Sequence, residues 1–152
     1  MTAMALLFIV LSILVGALVP LQAGINATLG QHAGHPLFGM VANMTLATLI
    51  VYSSVIVLRV PLPFAQVFAS APWYAWLGGA CGATLVFSAM TIAPRLGAAP
   101  YVCATLVGTI LASMVVDHFG LLAFRPQSVT LQRVLGAALV VIGTILVTLR
   151  RT

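Results

Sequence analysis

The chain has very few charged residues. It contains no lysine, and its 152 residues include six arginines and a single acid, Asp117. Only 5% of the residues are charged and 62% are hydrophobic, whereas a soluble globular domain has about 25% charged residues. This composition excludes a soluble fold and indicates a membrane protein.

The missing residue types also exclude most chemistry. Without a lysine there is no Gly-rich phosphate loop of the ATPase kind. The single acid is adjacent to His118, which gives no credible Ser/His/Asp set, and the three histidines lack carboxylate or thiolate companions at metal-ligand spacing. Cys81 and Cys103 have no spacing that supports a disulfide or a metal site. We therefore expect no enzyme activity, no metal and no cofactor.

The net charge of +5 does not indicate nucleic-acid binding. The arginines lie at the ends of apolar segments and form no basic patch interleaved with aromatics. Such positions are typical of anchors at the edge of a membrane. We expect the lipid bilayer, and no nucleic acid, among the partners.

Five apolar stretches are long enough to cross a bilayer, which takes roughly 20 residues. We predict an all-α membrane protein in which residues 1–152 form one domain of five transmembrane helices. The N-terminus lacks the positive region of a signal peptide, and the first apolar stretch is longer than a signal-peptide core, so we expect the first span to be retained as a transmembrane helix. The spans cover about residues 4–28, 36–58, 72–93, 97–116 and 130–149.

The link between the second and third spans is mildly apolar. Its segment FAQVFASA, residues 64–71, is expected to lie in the membrane interface. Trp73, Tyr74 and Trp76 follow at the start of the third span, and such a cluster is typical of the headgroup level.

The first span carries residues that a lipid-facing helix does not need. Pro20 leaves the carbonyl of Gly16 without its usual donor, so these two residues predict a helix hinge. Gln22 and Asn26 are four residues apart and share one helix face. Polar side chains at membrane depth usually face inward, which makes both candidates for substrate binding. The alternative is that the amides bond to neighbouring helices.

Other polar residues extend this candidate set. Asn43 is a third amide in a predicted span, and Tyr101 could stack against a ligand or anchor a helix end. Thr105 and Thr109 share a face of the fourth span, although threonine hydroxyls also bond to their own helix. The candidate substrate-binding residues are thus Gln22, Asn26, Asn43, Tyr101, Thr105 and Thr109.

No predicted span has an acid near its middle, so the chain lacks a buried carboxylate that could relay protons. Asp117 and His118, at the end of the fourth span, are the one adjacent titratable pair. They are candidates for a gate or for proton coupling. Alternatively, Asp117 makes a helix-end hydrogen bond or pairs with an arginine.

Small residues indicate close contacts between helices, because lipid offers no hydrophobic drive for helix association. Gly136 and Gly143 are seven residues apart on one face of the fifth span and are candidate dimer contacts. Gly78 and Gly82 form a four-residue step in the third span.

The arginines are balanced between the two sides of the membrane. Five spans place Arg59, Arg125 and Arg133 on one side and Arg95, Arg150 and Arg151 on the other. The positive-inside rule orients a protein by its Lys/Arg asymmetry, and three against three gives none. We therefore predict dual topology, with the alternative that a bias within the first helices selects one orientation.

Four motifs then resemble a known family. PLQAGINATLG (residues 20–30), APRLGAA (93–99), DHFGLL (117–122) and LGAALVVIGTILV (135–147) are similar, in order, to motifs of the YdcZ-type family of the drug/metabolite transporter superfamily. The resemblance implies a five-helix half-transporter of the bacterial inner membrane that pairs with a second half in inverted orientation. Thr109 and Asn43 depart from the family pattern, which has Gln and Ser there, so selectivity could differ.

These observations lead to a functional hypothesis. We expect a small secondary transporter, acting as an exporter of a metabolite or drug-like solute, that works as an antiparallel homodimer or with a homologous chain. Its cavity would be lined by the first four spans, with the fifth as the dimer contact. The alternative is a non-transporting membrane subunit that stabilises or recruits a partner complex.

Overall fold

The computed structural model describes residues 3–122 and 124–149. Within these residues, five helices are long and apolar enough to cross a membrane, which confirms the predicted all-α membrane fold. Arg150 and Arg151, counted above for one side of the membrane, lie outside the described residues. The helices are α1 (Ala3–His32), α2 (Pro36–Val57), the short α3 (Phe64–Ser70), α4 (Leu77–Leu96), α5 (Ala98–Phe119) and α6 (Leu131–Thr148), and a 3-10 turn, Trp73–Trp76, precedes α4.

The helix starts follow local sequence signals. Pro36 begins α2, where the fixed φ of proline suits the first turn, and the His35 ring accepts a hydrogen bond from the amide of Leu37 at 3.2 Å. Thr130 caps α6 by accepting from the amide of Arg133 at 3.4 Å.

Two helices end in a Schellman arrangement, in which a residue in the left-handed conformation follows the last turn. In α5 this residue is Gly120 (φ 60°), and the amide of Leu121 donates to the carbonyl of Val116 at 2.9 Å. In α2 it is Arg59 (φ 51°), a residue type that the left-handed region disfavours. Both ends place a sharp turn directly after a span.

Three helices are longer than the predicted spans. α1 continues to His32 instead of ending near residue 28, and α5 continues to Phe119 instead of ending near 116. α4 continues through Pro94 to Leu96, although the third span was predicted to end before that proline. Hydropathy locates the membrane and not the end of the backbone hydrogen bonding. Pro94 leaves the carbonyl of Met90 without its helical donor, and the helix ends two residues later, at Leu96.

Most large apolar side chains are exposed. Leu14 on α1 and Leu139 on α6, for example, are 61% and 68% exposed. Soluble monomers rarely expose such continuous apolar surface, but a bilayer covers it. Most of the few buried residues among those described are small, and Met90 and Tyr101 are the large ones. The buried residues are Ala23, Asn26, Gly30, Gly39, Met90, Ala93, Tyr101 and Ala137.

The described residues form two compact units, one up to Pro94 and one from Arg95 onward. In the first unit α1 packs against α2. In the second unit α5 packs against α6, and the hydroxyl of Thr144 donates to the carbonyl of Cys103 at 3.2 Å. That the whole chain forms one domain stays a prediction.

Candidate functional site

The seam between α1 and α2 is the closest helix contact around the predicted amides. On α1 the buried residues Ala23, Asn26 and Gly30 are spaced three and four apart, so they share one face. Across the seam, a Cβ at Gly39 would overlap the backbone oxygen of Asn26 and lie 3.1 Å from Cε of Met90. Only a glycine allows the two backbones to approach this closely.

Gln22 and Asn43 meet one helical turn away. Gln22 lies four residues before Asn26 on α1, and Asn43 lies four residues after Gly39 on α2, as antiparallel neighbours require. Nε2 of Gln22 donates to Oδ1 of Asn43 at 3.1 Å. The structure thus brings two of the three predicted amides into contact, and this bond between neighbouring helices is the kind that the structural alternative predicted.

The amide pair still has hydrogen-bonding capacity. A carboxamide offers two N–H donors and an acceptor oxygen, and one donor and one acceptor are used in the Gln22–Asn43 bond. The remaining polar atoms of the two side chains, Oε1 of Gln22 and Nδ2 of Asn43, make no hydrogen bond within the described residues. The pair therefore presents a free acceptor and a free donor side by side.

Asn26 differs from both. The residue is only 7% exposed, yet its carboxamide makes no hydrogen bond within the described part of the chain. No fully buried side-chain nitrogen or oxygen in that part lacks a partner, so the polar atoms of Asn26 keep some accessible surface. A buried amide without a protein partner is costly, and its accessible tip is available to a ligand.

The predicted hinge lies just before these amides. α1 is one continuous helix of 30 residues, with Pro20 inside it. Within the part of the chain that the structure describes, no atom lies within 4 Å of the position that a Cβ at Gly16 would take. The carbonyl that lacks a helical donor because of Pro20 belongs to Gly16, which has no side chain to restrict bending. Hinge motion at Gly16 stays a prediction.

The candidates on α5 belong to the second unit. Tyr101 is buried, and its amide donates to the carbonyl of Gly97 at 3.1 Å in the first turn of the helix. Thr105 donates its hydroxyl to the carbonyl of Val102 at 2.9 Å, and Thr109 donates to that of Thr105 at 2.8 Å. Both threonines thus use their donor within the helix, which leaves them as acceptors toward a solute.

Asp117 belongs to a network that closes the connection between α5 and α6. Oδ2 of Asp117 accepts from Nη1 of Arg133 at 3.3 Å, and Nη2 of the same arginine donates to Oε1 of Gln127. The amide of Gln127 in turn donates to the backbone carbonyl of Asp117 at 2.8 Å. The His118 ring contacts Phe119 edge-on. These contacts favour the arginine-partner role of Asp117, and a gate or coupling role stays a prediction.

The predicted dimer contacts are open. No atom of the described residues lies within 4 Å of a Cβ built at Gly136 or Gly143. The next residue after each glycine faces inward: Ala137 is buried, and Thr144 donates a hydrogen bond to the carbonyl of Cys103 on α5. The glycine face is therefore rotated by one residue from the face that contacts α5, and its role as a dimer contact stays a prediction.

The sequence did not single out Gly39 or Met90. The small-residue steps that it identified, such as Gly78 and Gly82, have no atom from residues 3–122 or 124–149 within 4 Å of a built Cβ. A usable signal was present, because Gly39 lies four residues before Asn43 and thus shares its helix face. Met90 carried no signal, since an apolar residue within an apolar helix is ordinary.

The residue types that could bind a metal ion do not cluster in the described part of the chain. Among the described residues, no group of three or more His, Cys, Asp or Glu side chains could hold a metal ion. Nδ1 of His32 hydrogen-bonds to the carbonyl of Thr28 at 2.9 Å, and His35 caps α2. Both rings are thus used at helix ends.

The comparison with protein families agrees with this architecture. The model of the family described as "Putative inner membrane exporter, YdcZ" matches residues 7–146. No curated protein and no solved structure matches the chain. The match covers all five long helices apart from a few terminal residues, and the family is one of exporters and not a class of enzymes. The chain therefore belongs to the YdcZ family of inner membrane exporters and is a multi-pass protein of that membrane.

Proposed function

We propose that two copies of this chain pair in antiparallel orientation and export a small, hydrogen-bonding metabolite or drug-like solute that binds at Asn26. A homologous chain could replace the second copy. The single observation that carries the binding proposal is Asn26, a residue that is more than nine-tenths buried and whose carboxamide is unpartnered within the described residues.

The surroundings of Asn26 support binding. Met90, only 3% exposed, offers an apolar wall near Gly39, and the Gln22–Asn43 pair offers a free acceptor and a free donor one turn away. Ligand sites are mostly apolar with a few polar groups that fix orientation. All three amides are uncharged, so the seam suits a solute that needs hydrogen bonds and no counter-ion.

The pairing is supported by charge and by small residues. The arginine balance of three against three removes the usual bias toward one orientation. The open face at Gly136 and Gly143 allows a close approach of a second helix. Pairing of inverted halves is also how many transporters build a midplane site and alternate its access.

A ligand screen tests the binding claim. The purified protein in detergent would be heated with each member of a metabolite and drug library, and stabilised conditions would be repeated with Asn26→Ala. Ligand binding to the folded state raises the unfolding midpoint by mass action. We expect at least one neutral solute to raise the midpoint of the wild type and not that of Asn26→Ala, and to leave loaded proteoliposomes faster with the wild type.

Thr28→Val is the matched control. Thr28 lies on the same helix, and its hydroxyl donates to its own helix carbonyl, that of Gly24, at 2.9 Å. The control should keep both the ligand-induced shift and the flux. An equal shift in Asn26→Ala and the wild type would contradict the proposed site.

The Gln22–Asn43 bond favours a second candidate function, the non-transporting subunit. Two amides that satisfy each other across a seam are what a purely structural role requires. This candidate predicts that liposomes containing the protein move no library member, and that Gln22→Ala and Asn26→Ala leave its cellular function intact. Flux that depends on Asn26 would exclude it.

A further inference from the structure

The connection between α2 and α4 carries a dense group of aromatic side chains. We define the aromatic segment as residues 64–76, which comprises α3 and the turn Trp73–Trp76. α2 and α4 are both long enough to span the membrane, so the segment between their ends lies next to one membrane surface. Its position is thus continuous with the lipid-covered surface of the two spans.

The short helix α3 has one apolar face. Phe64, Val67 and Phe68 are spaced three and four residues apart and are all exposed, so they project on one side. Gln66 and Ser70 lie on the other side, where the hydroxyl of Ser70 donates to the carbonyl of Gln66 at 2.8 Å. This arrangement is that of a helix lying in an interface plane.

A ring contact joins α3 to the turn that follows it. The rings of Phe68 and Trp76 stack with their centroids 4.6 Å apart and an interplanar angle of 12°. Phe68 remains 66% exposed and Trp73 is 76% exposed. The stacked rings therefore form one continuous aromatic surface, and this surface remains exposed.

The lack of charged residues and the cost of exposing apolar side chains to water indicate that lipid covers this surface. No charged residue occurs from Val60 to Trp76, and the preceding Arg59 is positive. Leaving a large apolar side chain in water costs about 1.5–3 kcal/mol relative to burying it, and the segment has several. Tryptophan and tyrosine prefer the headgroup level, where the ring is in apolar surroundings and its polar atom is hydrated.

We propose that the aromatic segment is a lipid-binding element that lies in the boundary between headgroups and acyl chains, with its aromatic surface turned into the lipid. It fixes the α2–α4 connection to the membrane surface instead of leaving it as an aqueous loop. This proposal does not depend on transport or on dimer formation.

The two tryptophans of the chain, Trp73 and Trp76, both lie in the segment, so tryptophan fluorescence, excited selectively over tyrosine, reports on the segment alone. The wild type would be placed in phosphatidylcholine vesicles brominated either near the headgroup end or near the middle of the acyl chains. We expect greater loss of fluorescence with the shallow bromines than with the deep ones, and little loss with aqueous iodide.

A variant with its reporter at mid-span provides the depth control. Trp73→Phe and Trp76→Phe remove the native signal, and Leu139→Trp adds one at an exposed position halfway along α6. This variant should show the reverse order, with stronger quenching by the deep bromines. Strong iodide quenching of the wild type would place the segment in water, and insensitivity to all quenchers would place it against a second protein copy. Either result would overturn the proposal.

Discussion

The backbone carbonyl of Asn26 occupies the space that a side chain at Gly39 would need. The same contact includes the buried tip of Met90, whose Cε lies 3.1 Å from that space. The missing side chain at position 39 thus allows α1 and α2 to meet at the candidate solute contact.

This contact predicts that adding a single methyl group at position 39 lowers the stability of the protein. Gly39→Ala should destabilise the protein by about 1–3 kcal/mol, as overpacking of a tight contact does, because backbone atoms must move apart. Thermal unfolding in detergent measures the loss. Gly24→Ala is the control, since none of the described atoms lies within 4 Å of a Cβ at that position. Equal midpoints for the two variants would contradict the close approach.

The bond between Gln22 and Asn43 predicts a measurable coupling. A double-mutant cycle with Gln22→Ala and Asn43→Ala should give a coupling energy of about 0.6 kcal/mol and at most about 1.7, the range found for hydrogen bonds between membrane helices. Unfolding of the wild type, both single variants and the double variant supplies the four values. Strict additivity would mean that the two side chains do not bond in the folded protein.

The network around Asp117 predicts that this acid is not required for transport. Asp117→Asn removes the charge but keeps an acceptor for Arg133, so the cost should be below about 1 kcal/mol, as for other partly exposed ion pairs. Flux of any solute found in the ligand screen should persist with an unchanged dependence on pH. His118→Gln should behave in the same way. Loss of flux, or a flattened pH profile, would instead support the coupling role predicted for this pair.

The sequence was sufficient to predict the number and type of the membrane-spanning helices, because hydropathy runs and charge deficits depend directly on the membrane. It did not predict that residues 64–70 form the short helix α3. It placed Thr130 at a helix start, and the motif resemblance predicted the family that the comparison shows. It misplaced helix ends such as the one beyond Pro94, because backbone hydrogen bonding continues where hydropathy falls.

The site was less predictable. Gln22 and Asn26 have equivalent positions in the sequence pattern, but only Gln22 has a protein partner in the described part of the chain. The difference comes from the register of α1 against α2, which is determined by a glycine contact on the partner helix. A pattern within one helix carries no information about that register.

The antiparallel pairing is the central claim, and site-specific labelling of the two membrane sides tests it most directly. Cys81→Ala and Cys103→Ala would remove the native thiols, and Gln31→Cys would place a single exposed thiol near the end of α1. Intact cells would be treated with a membrane-impermeant maleimide, and the unreacted thiol would then be counted after lysis. The account predicts two populations, one labelled from outside and one protected, with Ser128→Cys showing the same division from the other side of the membrane. A single population for both variants, one fully labelled and the other fully protected, would contradict it.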